Sequence, residues 1–119
     1  MLVDATNIEY YKEFDVVNLA VVLHEVRPAI RRSAIENCYK ALKNSGQILI
    51  FDFAYPQKAE DFRKPEYAPG IKDQFYEATW GSEHLPLAER HKLLLEAGFK
   101  NPTTISLFGG PIEVTCAQK

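Results

Sequence analysis

Glycine is scarce in these 119 residues, six in all, and the only adjacent pair is Gly109-Gly110. A loop that cradles phosphate or dinucleotide needs several closely spaced glycines so that backbone can approach the ligand, and none is found. Cysteine is scarcer still: Cys38 and Cys116 lack metal-ligand spacing. Both fall in apolar patterns, one helical and one strand-like, and read as small buried side chains in a reducing compartment. Positive charge is not in excess, with 14 Lys and Arg against 16 Asp and Glu and a formal charge of -2. The basic residues are scattered, which argues against nucleic acid as a partner, because phosphate binding needs a basic surface. No apolar run approaches the ~20 residues of a membrane span, and no charged-then-apolar signal peptide opens the sequence. A cytoplasmic protein with no membrane partner is expected. The rest is ordinary for a globular domain: 46% hydrophobic and 25% charged residues, in a length suited to one core.

The run FDVVNLAVV, 14–22, is almost wholly apolar and Val-rich, the pattern of a strand buried on both faces. PAIRRSAIENCYKALKNSG, 28–46, then repeats Ile30, Ala34, Ile35, Cys38, Ala41 and Leu42 at helical spacing, with Arg31, Arg32, Glu36 and Lys40 on the other face. Pro28 suits its start and Asn44-Ser45-Gly46 its end. QILIFDFAY, 47–55, reads as a second strand, so strand, helix and strand form a βαβ unit with parallel strands and a right-handed crossover. Residues 56–85, with Pro56, Pro65, Pro69 and many charges, read as a mobile, partly helical excursion over the sheet's carboxyl edge. PLAERHKLLLEAGF, 86–99, is a helix with Pro86 in its first turn and Gly98 as its stop. TTISLF, the turn Gly109-Gly110-Pro111 and IEVTCAQ form a hairpin. The fold class expected is α/β, a parallel core closed by an antiparallel carboxyl-terminal hairpin.

The blocks FDVV, LHEV, CYKALKNSGQILIFDF and LLLEAGF, followed by a glycine-containing hairpin, resemble in order and spacing the carboxyl-terminal half of class I S-adenosylmethionine-dependent methyltransferases. LHEV and NCYKALKNSGQILI further resemble the small-molecule O-methyltransferases, including the plant phenolic type. The resemblance runs from about Asp4 to Lys119 as one domain. It implies a partial Rossmann-like sheet with helices on both faces, S-adenosyl-L-methionine as cofactor and a small-molecule substrate methylated at oxygen. It also implies roles for particular residues. Asp4, with Ala5, matches the acidic motif whose carboxylate accepts from the adenine amino group, or else is a turn aspartate. Asn18, Leu19 and Ala20 end a strand where the methionine part of the cofactor is expected, beyond the carboxyl ends of an open sheet. The lysine that the plant-type enzymes carry near Ala20 is absent.

His24 stands nine residues after Asp15, as the catalytic histidine of the plant-type enzymes stands after its aspartate. It is either the base that deprotonates the acceptor hydroxyl or a structural, substrate-lining residue; a neutral imidazole takes such a proton near pH 7. Glu25 either orients that ring or faces water. Glu83 falls close to the glutamate that in the family positions the histidine, displaced by one residue. Trp80, Phe75 and Tyr76 are candidates for an aromatic substrate pocket, Trp80 alternatively for a lid. Asp52 either lines the cleft or caps the next segment, and His91 packs against the core.

The family's glycine-rich turn and its ribose-binding acid would precede residue 1. The FDVVNLA strand should lie inside a complete sheet, and without further strands it is a long apolar edge with unpaired backbone groups. A homodimer, or an amino-terminal partner segment, is expected to cover it. Two functions follow: a methyltransferase or a fragment of one, and a non-catalytic remnant acting as an interaction or oligomerisation module.

Overall fold

The Val-rich run forms strand β1, Phe14–Ala20, in a computed structural model that describes residues 6–119. The strand is shorter than the apolar run because Val21 turns out of it with φ +53°, a costly conformation for a β-branched residue. A short 3₁₀ turn, Leu23–Glu25, follows. Helix α1 spans Pro28–Ala41 and strand β2 spans Leu42–Phe53. The helix therefore stops before the predicted Asn44-Ser45-Gly46 signal. The reason is tertiary: the N–H groups of Lys12 and Glu13 donate to the carbonyls of Lys40 and Ala41 at 2.9 and 2.8 Å. Those bonds occupy acceptors at the helix's carboxyl end, and Leu42 enters the core as the first residue of β2.

Two further 3₁₀ turns, Ala59–Arg63 and Pro65–Tyr67, lead into helix α2, Ala68–Thr79. Helix α3 spans Leu87–Glu96 and ends where Gly98 takes φ +102°, a conformation glycine adopts without steric cost. Strands β3, Lys100–Leu107, and β4, Ile112–Gln118, complete a four-stranded sheet ordered β1-β2-β4-β3. β1 and β2 are parallel and the other pairs antiparallel, as the sequence pattern predicts.

Register sets the core. Val17 pairs with Ile48 and Leu19 with Ile50, so these alternate residues share one sheet face. Ile35 and Cys38 of α1, Leu94 of α3, and Phe99 pack there against Ile48, Ile50 and Ala117. Each fully buried aliphatic side chain of this group stabilises the fold by about 1.5–3 kcal/mol. Both α1 and α3 thus lie on the same face. On the opposite face Val16 and Ile105 remain 50% and 62% exposed. One helical assignment changes: Ile30 is exposed, and Arg31, predicted on the polar face, is buried. Arg31 tolerates burial because its guanidinium donates to the carbonyls of Val26 and Glu83, 2.8 Å each through Nη2.

A second buried arginine ties α3 to the sheet. Arg90 donates to Glu113 Oε2 at 3.2 Å, Thr115 Oγ1 at 3.1 Å and the Phe53 carbonyl at 3.3 Å. His91, half-buried, meets Thr104 Oγ1 at 2.8 Å. Among the described residues no helix is long and apolar enough to cross a membrane.

Candidate active site

The carboxyl ends of the parallel strands β1 and β2 carry the two residues at the centre of the site. His24 lies in the turn after β1, and Asp52 is the penultimate residue of β2. Both are nearly inaccessible, at 2% and 3% exposure. His24 Nδ1 lies 2.6 Å from Asp52 Oδ1, and the His24 backbone N–H reaches Oδ2 at 3.3 Å. The Phe53 N–H also donates to Oδ1, at 2.8 Å. Burial alone pushes the Asp52 carboxyl up, but the His24 hydrogen bond and charge, with the Phe53 N–H and the Arg90 charge, bring it below its ordinary value. An ionised carboxylate only accepts, so Nδ1 carries the proton and Nε2 of a neutral His24 presents its lone pair on the far side of the ring.

A second histidine lies over the face of this ring. His84, 3% exposed, stacks on His24 with ring centroids 4.3 Å apart and planes 14° from parallel. Tyr55 stacks near-parallel to His84 at 5.5 Å, and Phe53 meets both imidazoles edge-on. Asp73 of α2 joins the two histidines: its Oδ2 accepts from His84 Nε2 at 2.9 Å and lies 3.6 Å from His24 Nε2. The rings titrate apart. For His24, burial opposes the charged form, yet the Asp52 hydrogen bond and the charges of Asp52, Glu77 and Asp73 outweigh it and raise the pKa. For His84, burial prevails over the Asp73 bond, the charge on His24 adds to it, and the pKa falls.

Polar staples hold the segment bearing His84 against the turn bearing His24. Ser82 Oγ donates to the His24 carbonyl, and Arg31 bridges the Val26 and Glu83 carbonyls. The His84 N–H donates to Gln74 Oε1 at 2.7 Å, which fixes the segment to α2. A cavity of about 350 Å³ opens beside this cluster, lined by Tyr55, Gln74, Glu83, His84, Pro86 and Glu89.

The residues singled out in the sequence are distributed unevenly over this site. His24 and Asp52 are in contact. Glu25 is exposed and brings a carboxylate oxygen within 4.8 Å of a His24 ring nitrogen, while Nδ1 is engaged by Asp52. Glu83 presents an exposed side chain to the cavity rather than to His24, and its neighbour His84 occupies the position against the His24 ring. Asn18 and Ala20 are exposed near the end of β1, with Leu19 turned inward against the core. Tyr76 on α2 and Trp80 just past its end are 63% and 75% exposed. Asp4 and Ala5 lie outside the described residues. His84 and Asp73 were not anticipated. The one-residue displacement at Glu83 was the available signal for His84; Asp73, in an unpatterned proline-rich segment, gave none.

No family model and no curated protein matches the sequence. Solved structures do. Human N-acetylserotonin methyltransferase in complex with S-adenosylmethionine (SAM) superposes with a TM-score of 0.80 at 22% identity, covering 100% of this chain and 33% of that one. An O-methyltransferase family protein from Burkholderia thailandensis gives 0.77 at 23%, covering 98% and 33%. A SAM-dependent methyltransferase from Thermotoga maritima gives 0.74 at 15%, covering 97% and 61%. At these identities the likeness is one of fold: the chain has the class I methyltransferase fold over the part it spans, about a third of the length of the first two.

Proposed function

We propose that this chain is the carboxyl-terminal, acceptor-side half of a SAM-dependent methyltransferase acting on a small molecule, with His24 as the base that frees an acceptor oxygen. The observation that carries the reading is the buried His24–Asp52 pair at the carboxyl ends of two parallel strands, where open α/β sheets bind ligands. Asp52 holds Nδ1–H, fixes the ring and stabilises the imidazolium formed when Nε2 takes the hydroxyl proton. The bound cofactor supplies a methyl carbon on a positively charged sulfur, which departs with the bonding pair as a neutral thioether. Asn18 and Ala20, exposed near the end of β1, fit the methionine side of that cofactor, and Asp4 is assigned to its adenine.

On the acceptor side, Glu83 lines the cavity beside His84. Tyr76 follows Asp73 by three residues and so extends the helix face that reaches the histidines, and with Trp80 just past the end of α2 it suits an aromatic acceptor. The missing glycine-rich turn belongs to a preceding segment in this reading. A second reading, a non-catalytic interaction module, is favoured by the open edge of β1, which a second copy or an amino-terminal segment would cover.

Calorimetric titration of SAM into the chain joined to a segment that carries the glycine-rich turn, followed by transfer of labelled methyl to small hydroxylated aromatics, separates the two. Heat of binding and label in product support the enzyme; no heat at millimolar cofactor leaves the module. Where transfer is seen, His24→Ala is expected to slow it about a hundredfold or more, and full activity in that variant removes His24 from the role of base.

A further inference from the structure

Asp73 Oδ2 contacts two imidazoles, and the two contacts differ in kind. It accepts from His84 Nε2 at 2.9 Å, a hydrogen bond, and lies 3.6 Å from His24 Nε2, beyond hydrogen-bond range. A ring N–H points along its own ring plane and bonds best to an oxygen near that plane, here the plane of His84. The rings are stacked 14° from parallel with centroids 4.3 Å apart, so the same oxygen is displaced from the His24 plane toward His84. The in-plane lone pair of His24 Nε2 is therefore not taken by Asp73. His84 is itself fixed: its backbone N–H donates to Gln74 Oε1 at 2.7 Å, and Tyr55 stacks on it with centroids 5.5 Å apart. Burial, with the charge on His24, outweighs the Asp73 bond and lowers the His84 pKa, so near pH 7 this ring is a neutral donor.

We propose that His84 is a positioning residue for the base: by donating Nε2–H to Asp73 it holds that carboxylate off His24 Nε2 and leaves the nitrogen open to an acceptor hydroxyl. Without the bond, the partly exposed Asp73 side chain turns to its nearest cationic partner. A carboxylate hydrogen-bonded at His24 Nε2 would then lock a proton there. Burial opposes the charged form of His24, while Asp52, Glu77 and Asp73 favour it, and Glu25 brings a further carboxylate within 4.8 Å of the ring. His84 faces Asp52 and Asp73 on this side, and Glu83 and Glu89 line the cavity beside it. The restraint on Asp73 is a property of this chain's own side chains. Only its consequence for methyl transfer rests on the reading of His24 as the base.

Nitrogen-15 NMR of the three histidines in the unsubstituted protein tests the bond without any variant. The neutral rings should show Nε2–H in His84 and Nδ1–H in His24, and the reverse tautomer in either ring overturns the proposal. His84→Phe keeps a ring in the stack but loses the donor. In it the His24 titration midpoint should rise by about one pH unit, the effect of an opposite charge brought into contact. His84→Gln, whose amide still donates to Asp73, should titrate like the parent, and Asp73→Asn added to His84→Phe should abolish the rise. His91, bonded to Thr104 outside the cluster, should not move in any of them. An unmoved His24 midpoint in His84→Phe, or a rise that survives Asp73→Asn, overturns the proposal. Where methyl transfer is seen, the acid limb of its kcat/KM profile should move up with the His24 midpoint in His84→Phe and stay in place in His84→Gln. A raised midpoint with an unmoved limb would remove His24 from the role of base and leave the restraint on Asp73 standing.

Discussion

Cys38 is 2% exposed in the core, and burial pushes its thiol from an ordinary 9.0 up to about 11. The group ionises more readily in the unfolded chain, so its contribution to stability is complete below about pH 9 and is lost as pH rises to about 11. At 1.36 kcal/mol per pK unit the loss is about 2–3 kcal/mol. Urea midpoints should therefore fall more steeply between pH 8.5 and 11 in the unsubstituted protein than in Cys38→Ala. In the native state a thiol reagent should modify the partly exposed Cys116 well before Cys38; equal rates would mean that Cys38 is not held inside. His24, equally buried, favours its charged form instead, since Asp52 supplies a hydrogen bond and a charge that outweigh burial and that Cys38 lacks. The sequence offered both histidine and aspartate as candidates. It did not pair them, because 28 residues separate them and only the parallel register of β1 and β2 brings their ends together.

Among the elements, α3 and the β3–β4 hairpin were plain in the sequence, because glycine stops and apolar periodicity agree there. Helix α2 was not, with Phe75 and Tyr76 exposed and no apolar stripe marking a buried face. Its position depends on a close backbone approach instead. A Cβ on Gly70 would stand 2.6 Å from the Ala54 carbonyl oxygen and 3.3 Å from Phe53 Cβ, and a backbone oxygen cannot swing aside. Gly70→Ala is therefore expected to cost about 1–3 kcal/mol in chemical denaturation and to lift α2 from the end of β2. Limited proteolysis should then cut within 56–85 at lower protease concentration. A variant as stable and as resistant as the parent would show that α2 is docked by something other than this contact.

At the scale of the whole molecule, the sheet is open at β1. The strand has a neighbour only in β2 among the described residues, and Phe14 and Val16 stand 39% and 50% exposed along it. Tyr10, Phe14, Val16 and Val17 also line an apolar cavity of about 320 Å³ at this edge. An uncovered strand of this kind tends to pair with another chain, and the irregularity between Phe14 and Val16 leaves Val16 to Ala20 regular. Light scattering on the eluted protein should give about twice the 13.5 kDa of one chain, and Val16→Lys should return it to a single chain. A stable monomer before substitution would show that the edge is protected without a partner.

The sequence by itself determined the order of the elements other than α2, the parallel βαβ unit and the closing hairpin, because each depends on local signals: apolar runs, helical spacing, and proline and glycine at the ends. It also marked His24 and Asp52 as residues worth examining. Tertiary structure alone decided that α1 ends at Ala41, that Arg31 is buried, and that His84 and Asp73 join His24. Each of these depends on partners far away in the chain: backbone donors from Lys12 and Glu13, carbonyls at Val26 and Glu83, and a helix docked through Gly70. Contacts over such separations leave no periodic trace in sequence, since they are fixed by how layers pack rather than by what adjoins what.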